Sequence, residues 1–142
     1  VAVNVYLDAS ILVSFFTSDA LSAQADRFLG SGPGAVVASD LAAAEFASAI
    51  ARRVRTRHLN AGDAYAVFAD FDAWTARVAV RAEATPPDIA AATAFLRRLD
   101  LTLRAPDAIN IAIAQRVGAA LATFDTRMAE SARVLGAALA PV

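Results

Sequence analysis

The chain has 142 residues, 58% of them hydrophobic, and a formal net charge of -1. That length makes one domain with one core. All 13 basic residues are arginine, cysteine is absent and His58 is the only histidine, so lysine and thiol chemistry are excluded and histidine chemistry must run through His58. Residues 3–7 are a β-branched run ending at Asp8 and predict a buried strand. Residues 10–16 are apolar on all sides and predict a short buried helix. Residues 22–29 predict an amphipathic helix, stopped by the glycines and proline of 30–34. Residues 35–38 predict a second strand, and Asp40 is placed to cap a helix running to about His58. A helix over about 61–76 follows the break at 60–62, and 77–81 predict a short strand. Pro86 and Pro87 open a helix to about Leu99, and Pro106 suits the first turn of one ending at Gly118. Residues 120–124 predict a third clear strand, 126–135 a last helix and 137–140 an edge strand.

Strands separated by helices predict an α/β fold. The expectation is a single domain over 1–142, with a mainly parallel central sheet flanked by helices on both faces. Ligands of such sheets bind at the carboxyl ends of the strands. The longest stretch free of charge, 28–39, has 12 residues, and a spanning helix needs about 20. No membrane contact is expected. A cytoplasmic location fits the missing cysteines and the lack of a basic-then-apolar leader.

Four acids stand out by their surroundings. Asp8 and Asp125 each follow a predicted strand directly, and each has a hydroxyl nearby, Ser10 and Thr123. Capping the next helix would explain either one alone. Glu45 lies in an otherwise apolar stretch, with Leu41 and Ala49 as its helical neighbours. A carboxylate bordering a buried face needs a proton, an arginine or a cation. Asp107 heads a helix that continues almost wholly apolar, with Asn110 one turn along as a polar companion. The helix dipole alone would favour an acid there. Taken together, the four suggest one acidic cluster. Converging carboxylates repel and raise one another's pKa, and a hard divalent cation removes that conflict. An all-oxygen ligand set favours Mg2+ or Mn2+ over Zn2+. Such ions clamp phosphate oxygens and activate water.

At this point the sequence resembles the PIN-domain ribonucleases, in particular the VapC toxins of bacterial toxin–antitoxin pairs. The resemblance covers the whole chain. It rests on Tyr6-Leu7-Asp8-Ala9-Ser10, on Ser39-Asp40-Leu41 leading to Glu45, on Pro106-Asp107-Ala108-Ile109-Asn110-Ile111-Ala112, and on Leu121-Ala122-Thr123-Phe124-Asp125. It implies Asp8, Glu45, Asp107 and Asp125 as catalytic metal ligands for Mg2+ or Mn2+. Ser10 and Thr123 become supporting polar residues. Asn110 is counted with them as a supporting residue, at a position that varies among relatives. The implied activity is metal-dependent hydrolysis of RNA phosphodiester bonds. The implied partners are a VapB antitoxin and a second copy of the chain.

Two competing readings differ in class. A haloacid-dehalogenase-type phosphatase would use Asp8 as nucleophile, but wants a second Asp where Ser10 stands, and a lysine. A non-catalytic α/β interaction domain would use the acids only as caps and salt bridges. The basic run from Arg52 to His58 follows Glu45 on the same helix. It suits a helix C-terminus, and Arg52 and Arg55 are candidates for RNA-backbone contact. His58 is expected at the surface. Phe15, Phe16, Phe46, Ile50, Phe68, Phe71 and Trp74 are expected mostly in the core. A mean hydropathy of +0.49 suggests that another chain covers part of the surface.

Overall fold

The first β-branched run forms β1 (Val5–Leu7), and Asp8 caps the helix that follows it, α1 (Ala9–Phe16). The chain continues through α2 (Ser22–Gly30), β2 (Val36–Ser39), α3 (Asp40–Arg55), α4 (Ala61–Val78), β3 (Ala79–Ala82), α5 (Pro86–Leu96), α6 (Ala105–Arg116), β4 (Ala120–Ala122) and α7 (Thr126–Val134). These elements come from a computed structural model that describes residues 2–142. The strands lie in the order β3-β2-β1-β4, and every pairing is parallel. The chain therefore builds outward from β1 to β3, then crosses to add β4 on the other side of β1. Crevices form at such a reversal of strand order, and β1 and β4 carry Asp8 and Asp125 to it.

Period-two alternation in the strands sets the layers. Val5 and Leu7 point into a core with Ile11, Leu12, Phe46, Ile50 and Phe71 from α1, α3 and α4. Tyr6 points to the opposite face, among Ile111, Ile113, Met128 and Ala132 from α6 and α7. Helices thus cover both faces, as expected. The aromatic residues pack largely as expected too. Phe16 sits edge-on to Phe46, Phe71 and Trp74, with ring centroids 5.5–5.8 Å apart. Phe15, Phe16, Phe68 and Trp74 are half-buried, whereas Phe46, Ile50 and Phe71 are buried.

Several boundaries differ from the sequence expectation. Ser39, one residue before Asp40, caps α3 by accepting the Ala42 N–H at 2.9 Å. Asp40 instead accepts from the Leu41 and Ala84 amides, tying the segment after β3 to the start of α3. Helix α3 stops at Arg55, because Thr56 Oγ returns to the Arg52 carbonyl and Arg57 takes a left-handed φ of 62°. Helix α4 runs to Val78, so β3 starts two residues later than expected. Helix α5 ends at Leu96, short of Leu99, which adopts φ 67°. The expected edge strand at 137–140 reduces to one parallel bridge between Leu121 and Leu139.

An ion pair between an exposed arginine and a buried aspartate fastens α5 to α6. Asp88, 2% exposed, takes Arg116 Nε on one oxygen at 2.8 Å and Arg116 Nη2 on the other at 3.0 Å. It also accepts the Thr85 amide and hydroxyl, both at 2.8 Å. Burial pushes the Asp88 carboxyl up, but Arg116 and Thr85 outweigh it and hold the carboxyl below its ordinary range. A depressed folded pKa contributes stability above the ordinary Asp value and loses it as pH falls through the folded value. Asp88→Ala is therefore expected to cost about 1–2 kcal/mol at pH 7, the scale of a lost helix cap. The difference from wild type should shrink on acidification, as thermal melts from pH 7 to pH 3 would show.

Candidate active site

Asp8 is the fixed point of the site. Its own N–H donates to the Ala122 carbonyl at 3.2 Å, extending the β1–β4 pairing by one residue. That places its side chain beside Thr123. Asp8 Oδ1 accepts the Ser10 hydroxyl at 2.6 Å and the amides of Ser10 and Ile11 at 3.0 and 3.3 Å. Asp8 Oδ2 accepts the Thr123 hydroxyl at 2.5 Å. Ser10 and Thr123 are anchored in turn, since their oxygens accept the amides of Phe124 and Asp125 at 2.9 and 3.0 Å. Asp8 is only 6% exposed. Burial raises its pKa, against the lowering effect of the Ser10 and Thr123 hydroxyls and the two amides.

Glu45, half-buried on the second turn of α3, reaches the same region. Its Oε1 accepts Asn110 Nδ2 at 2.6 Å. Burial raises its pKa, the Asn110 bond opposes this, and the charges of Asp8 and Asp107 add to the rise. Arg104 acts in the opposite direction. Asp107, three residues into α6, accepts the Arg104 amide at 3.3 Å. Asp125 is exposed and caps α7 through the amides of Arg127 and Met128, at 3.0 and 3.1 Å.

The charges of Asp8 and Asp107 both act on Glu45, which lies between the two in this respect. The backbone N–H of Asp125, not its carboxylate, is joined to Asp8 through the Thr123 hydroxyl. Among the described residues, no group of three or more Asp, Glu or His side chains is gathered tightly enough to hold a metal ion as it stands. Charge links Glu45 to Asp8 and to Asp107, and the four acids are not an assembled coordination shell. Their chemistry nevertheless suits a hard cation. The donors are all oxygens, and two of the carboxylates are pushed toward neutrality by burial. A divalent ion would relieve that penalty.

Asn110, a supporting residue and the polar companion of Asp107 by sequence, is a hydrogen-bond partner of Glu45. Two residues in its network were not singled out beforehand, Tyr6 and Ser39. Tyr6 is fully buried, and its hydroxyl lies 2.5 Å from both Asn110 Oδ1 and Ser39 Oγ. Burial drives the Tyr6 hydroxyl above its usual range, which keeps it a neutral donor. A tyrosine tip inside a buried strand needs a polar partner, and that requirement was the available signal. Arg52 and Arg55 are exposed, and neither forms an ion pair among the described residues. Arg53 is the arginine of that run held in place, by Thr17 and Asp19. His58 is exposed and meets only the Thr56 hydroxyl among side-chain partners. No described helix is long and apolar enough to cross a membrane.

A family model described as the PIN domain matches residues 5–134. No curated protein matches the chain. Solved structures share the fold at low sequence identity. VapC20 of Mycobacterium tuberculosis, a sarcin-ricin loop cleaving toxin, is 22% identical with a TM-score of 0.74, over 89% of this chain and 94% of its own. FitAcB of Neisseria gonorrhoeae is 16% identical with a TM-score of 0.72, over 96% of both chains. VapBC2 of Rickettsia felis, bound to a DNA fragment from its promoter, is 12% identical with a TM-score of 0.69, over 96% of this chain and 97% of that one.

Proposed function

The chain belongs to the PIN-domain family, and from that premise we propose that it is a VapC-type toxin, a Mg2+- or Mn2+-dependent endoribonuclease restrained by a VapB-type antitoxin. The observation that carries the reading is Asp8, buried at a strand end, wholly hydrogen-bonded, and coupled by charge to Glu45. A carboxylate that served only as a helix cap would gain nothing from being buried within range of a second acid, Glu45. Family membership sets aside the phosphatase reading. The interaction-domain reading draws on Asp125, whose capping role is complete in itself. A homodimer and a cytoplasmic location, where RNA is available, belong to the same proposal.

Asp8, Glu45, Asp107 and Asp125 would hold the cation. The cation, when bound, offsets carboxylate repulsion, withdraws charge from the scissile phosphate and acidifies water for in-line attack. Ser10 and Thr123 keep the Asp8 carboxylate from rotating. Asn110 holds Glu45 against the start of α6 by donating also to the Pro106 carbonyl at 2.9 Å. The test is cleavage of RNA by the purified chain with Mn2+, with EDTA, and with Glu45→Gln. Loss of cleavage in the last two supports the reading, and wild-type rates in either would overturn it.

Arg52 and Arg55 would meet the RNA backbone. Arg52 lies seven residues beyond Glu45 on α3, about 10 Å along the helix axis. Replacing both by Ala is expected to weaken binding of unrelated RNA sequences alike. Each lost contact should flatten the slope of log K against log salt by about 0.7 for single strands. Fluorescence anisotropy at several salt concentrations, on a cleavage-inactive Asp8→Asn background, measures this. An unchanged slope would place both arginines off the RNA.

A further inference from the structure

We propose that Tyr6 is a positioning residue of the acidic site, fixing Glu45 for a divalent cation through the Asn110 amide. The inference rests on the metal-site reading above and deepens it.

The proton count along the network leaves one arrangement. Asn110 is 2% exposed, Tyr6 and Ser39 are at or below 1%, and no buried side-chain oxygen or nitrogen among the described residues lacks a partner. Asn110 faces two acceptors, the Pro106 carbonyl and Glu45 Oε1, 2.9 and 2.6 Å away, so its oxygen faces Tyr6 and takes the Tyr6 proton, which leaves Ser39 as the donor between the two hydroxyls. A flipped amide would set oxygen against oxygen at both contacts and waste the Tyr6 donor. The chain Ser39–Tyr6–Asn110–Glu45 thus runs in one direction, from the cap of α3 across β1 to α6 and back to α3. It pins Glu45 to three elements at once.

Removing the Tyr6 hydroxyl leaves Asn110 Oδ1 buried without a donor. Nothing then fixes the rotation of the amide from that side, and its hold on Glu45 loosens. Partners that orient a metal ligand in this way typically change metal affinity by about 10–100-fold when removed. The ring of Tyr6 packs among Ile111, Leu121 and Met128, and Tyr6→Phe keeps that packing.

The test is a cycle of Tyr6→Phe, Asn110→Leu and the double variant, with Mn2+ alone as probe in calorimetric titrations of the metal-free protein. Glu45→Gln is the control. Asn110→Leu replaces the amide by an apolar group of similar shape, and the double variant removes donor and acceptor together, which is the gentler change for the fold. Thermal melts without metal report folding separately. Tyr6→Phe is expected to weaken Mn2+ binding by about tenfold, and the double variant to bind no worse than Asn110→Leu. Wild-type Mn2+ affinity in folded Tyr6→Phe, or an effect of Tyr6→Phe that persists in full on the Asn110→Leu background, would overturn the inference. Those results, together with weakened Mn2+ binding in Glu45→Gln, leave the metal site intact and remove only the role of Tyr6. Equal Mn2+ binding by wild type and Glu45→Gln would instead remove the metal-site reading beneath it.

Discussion

Asp8→Asn is expected to lower the cleavage rate by about a thousandfold or more while raising the melting temperature. The activity term follows from charge. A metal's stabilisation of a phosphoryl transition state is worth several kcal/mol, and each about 1.4 kcal/mol is tenfold in rate. An amide in place of a carboxylate at the centre of the ligand set forfeits most of that. The stability term has the opposite sign. Burial raises the folded pKa of Asp8, so its ionisation weakens the fold increasingly as pH rises from the ordinary Asp range through the raised value. Asn removes that penalty and is as good a helix cap as Asp. Its Nδ2 can donate to Thr123 Oγ, whose own proton can turn to Ser10 Oγ, 3.4 Å away. Melts of the metal-free proteins at pH 7 and pH 4 check this, with the gain smaller at pH 4. An active Asp8→Asn, or one less stable at pH 7, contradicts the account of this residue.

Phe46→Ala is expected to cost about 3–5 kcal/mol, the range for truncating a buried aromatic. Phe46 is 1% exposed. Its ring stacks on Phe71 at 4.6 Å and meets Phe16 and Phe68 edge-on at 5.8 and 6.3 Å. The lost ring leaves a cavity between α1, α3 and α4 that backbone shifts cannot close without moving Glu45, the preceding residue. Domains have about 5–15 kcal/mol in total, so urea unfolding should show a large fall in midpoint. A cost under about 1 kcal/mol would mean that the aromatic cluster is not closely packed.

Much of this was legible in the sequence because it depended on local pattern. The β-branched run before Asp8, and the strand before Asp125, announced strand ends of an α/β sheet. Glu45 announced itself as one acid in an apolar helical stretch. Asp107 stood out at the head of a buried helix. The Asp40 cap was misplaced by one residue because Ser and Asp cap equally well, and only the backbone decides which of Ser39 and Asp40 sits at the turn. The strand expected at 137–140 has suitable residues, but edge pairing depends on the neighbour, and β4 offers it a single bridge. Tyr6 lies in the run that predicts the first buried strand, and nothing local marks what its hydroxyl meets. Its partner Asn110 lies 104 residues away, and no local pattern carries that distance. No local pattern carries the pairing of Asp88 with Arg116 either, since the two residues lie 28 positions apart on successive helices.

Hydrolysis of RNA by water at a divalent metal is the chemistry proposed for these acids. The most direct measurement is the chemistry of the cut end, read in water enriched in oxygen-18 with Mn2+ present. The expected result is a linear terminal phosphate carrying one solvent oxygen, formed also when the 2′-hydroxyl at the scissile position is blocked, and absent with EDTA. A 2′,3′-cyclic phosphate, or cleavage that survives EDTA, would contradict it, because the nucleophile would then be the RNA's own hydroxyl and the acidic cluster would have no metal to hold.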